Sequence, residues 1–493
     1  MKGMLIMKKT NRKSVIGRIT AAVLALTISF GAVSGAALTA DAAWFNNFAG
    51  TIFKISSNDI KGKFRYSCMD KTDKFVYNDS FFSDSGTEKN IRLRNMSAAL
   101  AVASTDIKNT KNNVVDMLRI TGFDKDSIKV YDCSKSAKNT MGSVFAHKKI
   151  KGKELIAVVL RGENYKNEWS SNFIAGKKDD VEGFRTAAAK VISRLRTYMK
   201  ANGINEAKFW VTGYSRGGAV ADLIGKHLNE NADVFGTNED DLYVYTFEAP
   251  NASADGEVYD NIHNVSDADD LITYFYPAGW GLGLNGVREY IGGNETIMTK
   301  KLNFFAQGLS SDYRKVKKAD YLRSLASFVG SNITRKQYAE NLEKPLSDLM
   351  LLLYSKSWAD RAELINSIKN VFSEVQKDKG FFNTALSALR GNTSSLKTKV
   401  SDLISKYVDK SIISSDIALK KEEVEVIKKL FSGVVKLLPG LIISDIKYKD
   451  KENRNQSAAL YHIMTLTANA SRLTSAHYPD NIYKLLVAED PSF

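Results

Sequence analysis

The sequence predicts an α/β fold, a mainly parallel sheet covered by helices, with an all-helical segment inserted late in the chain. Three observations carry this expectation. Leu155–Leu160 is continuously apolar, as a strand buried on both faces of a parallel sheet must be. Apolar residues then recur at helical spacing from Val181 to Met199, Phe209–Thr212 is a short bulky and β-branched run, and helix formers follow from Ala219, which gives the alternation β-α-β-α. Lastly, the stretch from about Thr296 to Asp445 is lysine-rich and helical in pattern. A length of 493 residues suits two or three units, and 44% apolar with 25% charged residues is a globular composition.

The chain opens with Lys2, Lys8, Lys9, Arg12, Lys13 and Arg18, followed by Ile19–Leu38 without a charge and then Ala40-Asp41-Ala42. This order predicts a secretory signal peptide over 1–43, cleaved near Ala42 or Ala43, and hence a secreted protein. The run is long enough to span a bilayer, but its Ala, Gly, Ser and Thr content and the A-x-A triplet favour cleavage over anchoring. Cleavage removes six basic residues and one aspartate, so the net charge falls from +15 to +10. Such an excess suits transient contact with an anionic membrane or lipid interface, and equally serves as solvated surface. Nucleic acid is not an expected partner, because no basic block is interleaved with aromatics. Cys68 and Cys133 both lie in the exported part, and the sequence leaves their pairing open. Nothing in it sets an oligomeric state.

Residues 44–290 read as the first part of the α/β unit. Within them, 44 to about 90 mix aromatics with charges and are expected to be an irregular lead-in. Ile91–Ile107 and Lys111–Ile120 are expected helices. Ile128–Tyr131, Gly142–Lys149 and Glu154–Leu160 are expected strands, the last two joined by a hairpin at Ile150-Lys151-Gly152-Lys153. Further strands are expected at Leu242–Phe247 and Ile262–Val265.

Chemistry in such a sheet collects at the carboxyl ends of its strands. Gly213-Tyr214-Ser215-Arg216-Gly217 lies there with the form G-x-S-x-G, between a strand and a helix. On so tight a turn the serine is strained and its hydroxyl exposed, Gly213 and Gly217 keep Cβ atoms away, and the Arg216 N–H points where an oxyanion would form. A nucleophilic serine needs a base, and the base needs an acid. Asp267, Asp269 and Asp270 follow the Ile262–Val265 strand and are the natural source of the acid, although each alone also suits a helix cap. Their spacing is not that of a calcium loop. Of five histidines, His147, His227 and His263 precede the point where a base belongs in chain order. His462 sits in an amphipathic run and His477 in a late loop. No histidine pair has zinc spacing, and neither a metal nor an organic cofactor is expected.

With these residues in hand, the chain resembles the class 3 lipase family of secreted α/β-hydrolases. The matching pieces are V-V-L-R-G-E-N-Y (158–165), E-W-S-S-N-F (168–173), E-G-F-R-T-A (182–187), V-T-G-Y-S-R-G-G-A-V-A (211–221), Y-T-F-E-A-P (245–250), D-D-L-I-T-Y-F-Y-P (269–277) and H-Y-P-D-N-I-Y (477–483). They recur in the family's order over roughly 90–290 and 455–493. The resemblance implies an ester hydrolase acting on acylglycerols or phospholipids, with Ser215 as nucleophile, Asp270 as acid and His477 as base. Asp267 and Asp269 are the fallback acids. The N–H groups of Arg216 and Glu163 would form the oxyanion hole.

Two departures stand out. The family has Ser or Thr where Glu163 stands, and a carboxylate there opposes developing negative charge unless it turns away, while its N–H remains a donor. The family's His ahead of Gly-Phe is replaced at Val181 or Glu182. Two alternatives remain: hydrolysis of other esters, such as lysophospholipids or carbohydrate esters, and a non-catalytic secreted lipid- or surface-binding protein that keeps the fold.

Residues 291–450 form the expected helical insertion, and 451–493 return to the hydrolase core. Trp280-Gly281-Leu282-Gly283 is expected to lead out of the core. Leu346, Leu349 and Leu353 share one helical face, as do Val424, Ile427, Phe431, Val434 and Leu438, and Pro439-Gly440 is expected to stop the latter helix. These stripes pack as a helical subdomain, and lying between acid and base in the chain, that subdomain is a candidate cap.

Overall fold

The computed structural model describes residues 58–66, 71–105, 110–133, 139–162, 167–254, 256–291, 329–356, 421–446 and 476–490, with isolated positions between 322 and 406. The segment 1–43, Cys68, Glu163 and His462 lie outside them. The chain divides into two compact units, one formed by Val33–Gly293 with Leu473–Phe493, the other containing Asn294–Arg472.

In the first unit, strands β1 (Ile60–Tyr66) and β2 (Lys71–Tyr77) pair as an antiparallel hairpin. This corrects the irregular lead-in. In β1 the exposed Lys61, Lys63 and Arg65 alternate with Phe64 and Tyr66, which are buried, so the outward charges broke up a period-two pattern. Helices α1 (Ile91–Ala103) and α2 (Thr110–Ile120) follow.

The main sheet has seven strands, β3 (Lys129–Tyr131), β4 (Ser143–Ile150), β5 (Lys153–Leu160), β6 (Ala207–Tyr214), β7 (Leu242–Phe247), β8 (Ile262–Asp267) and β9 (Val287–Ile291), adjacent in that order. β3, β4 and β5 are antiparallel neighbours, and β5 to β9 are parallel. The β4–β5 turn has Lys151 and Gly152 both at positive φ (50° and 86°), the two-residue turn that matches strand twist. Helix α3 (Glu182–Ala201) connects β5 to β6, and α4 (Arg216–Glu230) connects β6 to β7. Trp210 Nε1 donates to Ser97 Oγ on α1 (2.7 Å), while the alternate residue Phe209 meets Phe235, so helices cover both faces of the sheet. β9 was not anticipated. The Trp280–Gly283 turn therefore leads into a last strand rather than out of the core.

In the second unit, Thr334 caps Arg335–Tyr338 in a reciprocal capping box with Gln337. A π-helical turn at Ala339–Glu343 continues into α5 (Lys344–Ser355), on which Leu346, Leu349 and Leu353 are buried as their shared face requires. Helix α6 (Lys421–Ile446) buries Ile427, Leu430 and Leu437, and Lys356 pairs with Glu423 at 3.0 Å. α6 runs through Pro439-Gly440, contrary to the expected stop. A proline removes one backbone hydrogen bond and bends a helix, but the apolar sequence continues on both sides and sustains it. Among the described residues no helix is long and apolar enough to cross a membrane.

The chain re-enters the first unit with a turn at Ala476-His477 and helix α7 (Pro479–Glu489), which has proline at its first position.

Candidate active site

Ser215 stands between the end of β6 and the start of α4 with φ 55° and ψ −120°. For a residue with a Cβ, positive φ costs about 1–2 kcal/mol. The surroundings hold it there. The Ser215 N–H donates to the Phe247 carbonyl (2.8 Å), and its own carbonyl accepts the Ala219 N–H (3.0 Å). A Cβ at Gly213 would collide with the Gly217 carbonyl, and one at Gly162 with the Tyr214 carbonyl. The elbow is thus pressed against itself and against the Arg161-Gly162 turn. Arg216 opens α4 in the first turn, whose N–H groups point out of the helix end.

Ser215 Oγ lies 2.8 Å from His477 Nε2, and His477 Nδ1 lies 2.7 Å from Asp270 Oδ2. All three are buried, at 7%, 4% and 0% exposure. The structure brings together these three residues of the sequence expectation. Asp270 Oδ1 accepts the Ile272 N–H (2.8 Å), so one carboxylate oxygen is fixed by backbone while the other faces the imidazole. The Asp267 carboxylate accepts the Asp269 N–H (2.9 Å) and shapes the loop. With Asp270 on Nδ1, the neutral imidazole carries its proton there and presents the Nε2 lone pair to the serine hydroxyl.

His477 owes its place to contacts that the sequence did not reveal. The Tyr214 hydroxyl donates to the His477 carbonyl, and the two rings sit 5.3 Å apart. Helix α7 is tied to α1 by Asn95 Nδ2 donating to the Leu486 carbonyl (3.3 Å) and by Arg94, which pairs with Glu489 (2.8 Å) and Glu289 (2.9 Å). Tyr483 meets Phe64 edge-on at 5.2 Å and donates its hydroxyl to the Lys74 carbonyl. The β1–β2 hairpin therefore braces the histidine helix. The adjacent Gly213-Tyr214 in the motif was the one sequence signal for Tyr214.

Next to the elbow, buried Arg161 pairs with Glu168 (3.2 Å) and donates to the Cys133 carbonyl (2.6 Å), and Thr140 donates to Glu168 (3.0 Å). Burial raises the Glu168 carboxyl, opposed by the Arg161 and Arg216 charges. Arg216 donates to Asn172 Oδ1 (2.7 Å). These bonds fix the strand end on which Gly162 sits. Cys133 is a free, buried thiol, pushed by burial up to about 11.

Glu248, directly after β7, is the residue sequence reasoning missed. It is fully buried and has φ 51°. Burial first, then the charge of Asp270, holds its carboxyl well above the usual range. Glu248, Asp270 and His477 each place a potential ligand atom within 4.8 Å of the others, a spacing that would suit a cation. Both imidazole nitrogens are, however, engaged with Asp270 and Ser215, so no lone pair is left for a metal.

Residues 157–277 match the family described as lipase (class 3). Over this segment, within the α/β unit, the chain is similar to the class 3 lipases. The sheet of that unit is mainly parallel and seven-stranded, of the α/β-hydrolase type, and the family match over 157–277 supports a lipid-ester hydrolase in broad class. The solved structures similar to the chain include three lipases. A fungal lipase in complex with an inhibitor shares 19% identity over 41% of this chain and 81% of its own, with a TM-score of 0.32. The lipase of Rhizopus microsporus var. chinensis shares 17% over 42% and 77%, with a TM-score of 0.32, and M37 lipase 12% over 49% and 80%, with a TM-score of 0.27. The comparison with curated proteins gave no match.

Proposed function

We propose that the protein is a secreted serine esterase or lipase that cleaves carboxylic esters of acylglycerols or phospholipids through an acyl-enzyme. The observation that carries this reading is the chain of contacts from Ser215 Oγ through His477 to Asp270, at a serine held in strained geometry on a strand-to-helix turn. His477 Nε2 takes the Ser215 proton as Oγ attacks the ester carbonyl, and Asp270 steadies the imidazolium through Nδ1. The developing oxyanion is met by the Arg216 N–H, and the resemblance to the class 3 lipases assigns the second donor to the N–H of Glu163. Collapse expels the alcohol with the proton from His477, and the same base then activates water to release the acid.

The test is labelling with a fluorophosphonate serine-hydrolase probe. Wild type is expected to label and Ser215→Ala to stay unlabelled. Equal labelling of both, or of neither, removes the assignment.

The helical unit is inserted between Asp270 and His477 in chain order, and we assign it the role of a cap that gates long acyl chains. Replacing 294–472 by a short linker should then change the ratio of activity on long and short acyl esters. An unchanged ratio rules gating out.

A further inference from the structure

The Glu248 carboxyl stands within 4.8 Å of potential ligand atoms of both Asp270 and His477. Its Oε1 accepts the Asp267 N–H (2.9 Å), while Oε2 is buried without a hydrogen bond of ordinary geometry. The charged groups bearing on it are Asp270 and Asp267, with His477 also within 4.8 Å. Two ionised carboxylates so close in a dry site repel strongly, so one of them keeps a proton. Asp270 accepts two N–H donors, from Ile272 and His477, whereas Glu248 accepts one. The negative charge therefore belongs on Asp270 and the proton on Glu248. The backbone offers no other reason for a glutamate, since a left-handed φ of 51° is a conformation that glycine adopts without strain.

We propose that Glu248 is a positioning residue, a neutral carboxylic acid whose O–H is shared with the Asp270 carboxylate and fixes how Asp270 faces His477. This rests on the Ser215–His477–Asp270 reading. It also sets how much negative charge the imidazolium sees, because part of the Asp270 charge is drawn towards the Glu248 proton.

The experiment compares pH profiles of kcat/KM for wild type, Glu248→Gln and Glu248→Gly, with Ser215→Ala in parallel. Glutamine is neutral and keeps a donor, so the acid limb should stay within about 0.3 pH unit of wild type and kcat within about threefold. Glycine relaxes the backbone but removes the donor. It should lower kcat about tenfold or more at unchanged KM and move the acid limb upward by about half a unit, because Asp270's full charge then favours the imidazolium. A downward move of about one unit or more in Glu248→Gln would mean that an ionised glutamate had been removed, and overturns the inference. So does a wild-type profile in Glu248→Gly. Should Glu248→Gly fail to fold, the Glu248→Gln limb decides alone. Retained turnover in Ser215→Ala overturns the triad reading and this inference with it, whereas an inactive Ser215→Ala beside a shifted Glu248→Gln limb overturns the inference only.

Discussion

Ser215 is positioned by residues beside it in sequence, the end of β6, two glycines and the start of α4, together with the Phe247 carbonyl one strand away. His477 is positioned from far off. Its helix leans on Arg94 and Asn95, the former pairing with Glu489 across 395 positions, and on the hairpin residues Phe64 and Lys74 through Tyr483. The serine's geometry is thus built into a local turn, while the base's geometry depends on tertiary contacts that any loosening of the N-terminal hairpin or α1 would disturb. The elbow stores strain and the histidine arm stores coupling. Changes on the two sides should therefore differ in what they cost.

The largest effect is expected where the two sides meet. Asp270→Asn leaves the elbow untouched but stabilises the wrong imidazole tautomer, and kcat should fall about 10⁴-fold, a magnitude taken from the serine-protease case. Steady-state kinetics check the fall. Unfolding by urea should show nearly unchanged stability if the elbow stands by itself.

A second test concerns how local the elbow is. On α4, Asp222 is fully buried and accepts the Asn285 N–H (2.9 Å) and Asn285 Nδ2 (2.8 Å), which ties the elbow's helix to the turn before β9. Burial nevertheless raises its carboxyl from 3.8 to about 7. Because the folded value lies above the unfolded one, this group's contribution to stability is fully present below pH 3.8 and is lost as pH rises through about 7. The loss is at most about 4 kcal/mol. Asp222→Asn should flatten the stability profile between those pH values, measured by thermal unfolding at a series of pH. A profile as steep as wild type would assign the slope to other groups.

The smallest effect should come from Tyr214→Phe, which removes the hydroxyl bond to the His477 carbonyl while keeping the ring against the imidazole. One hydrogen bond is worth about 1 kcal/mol, so kcat/KM should drop several-fold, up to about tenfold. An effect as large as that of Asp270→Asn would mean that the histidine arm has almost no support besides this tyrosine.

How legible these parts were in the sequence follows the same division. β5 and β6 were readable because burial on both faces leaves an uninterrupted apolar run, and the elbow because glycines flank a serine at a change of period. β1 and β9 were not, since the charged and glycine residues Lys61-Gly62-Lys63 and Arg288-Glu289 break up their apolar pattern. Asp270 could not be told from Asp267 and Asp269 by the residues themselves, because all three suit a cap. What separates them is which oxygen faces the imidazole. Glu248 looked like the end of a strand before Ala249-Pro250. Its partners are spatial neighbours from the loop after β8, and no local pattern encodes them. Pro439 failed as a stop signal because a proline weakens one turn locally, while the apolar run around it is set by the whole helix.

The position of α7 has a further consequence for biogenesis. Ser215 and Asp270 precede the helical unit and His477 follows it, so a ribosome has already made the first two when the last is still more than 200 residues away. The elbow can form once β5, β6, α4 and β7 have folded, but His477 does not reach it until the helical unit has been synthesised and α7 has docked on α1 and the hairpin. On the proposed mechanism, a nascent or truncated chain would carry a strained serine without its proton acceptor, and ester cleavage would switch on only with the final closure of the fold.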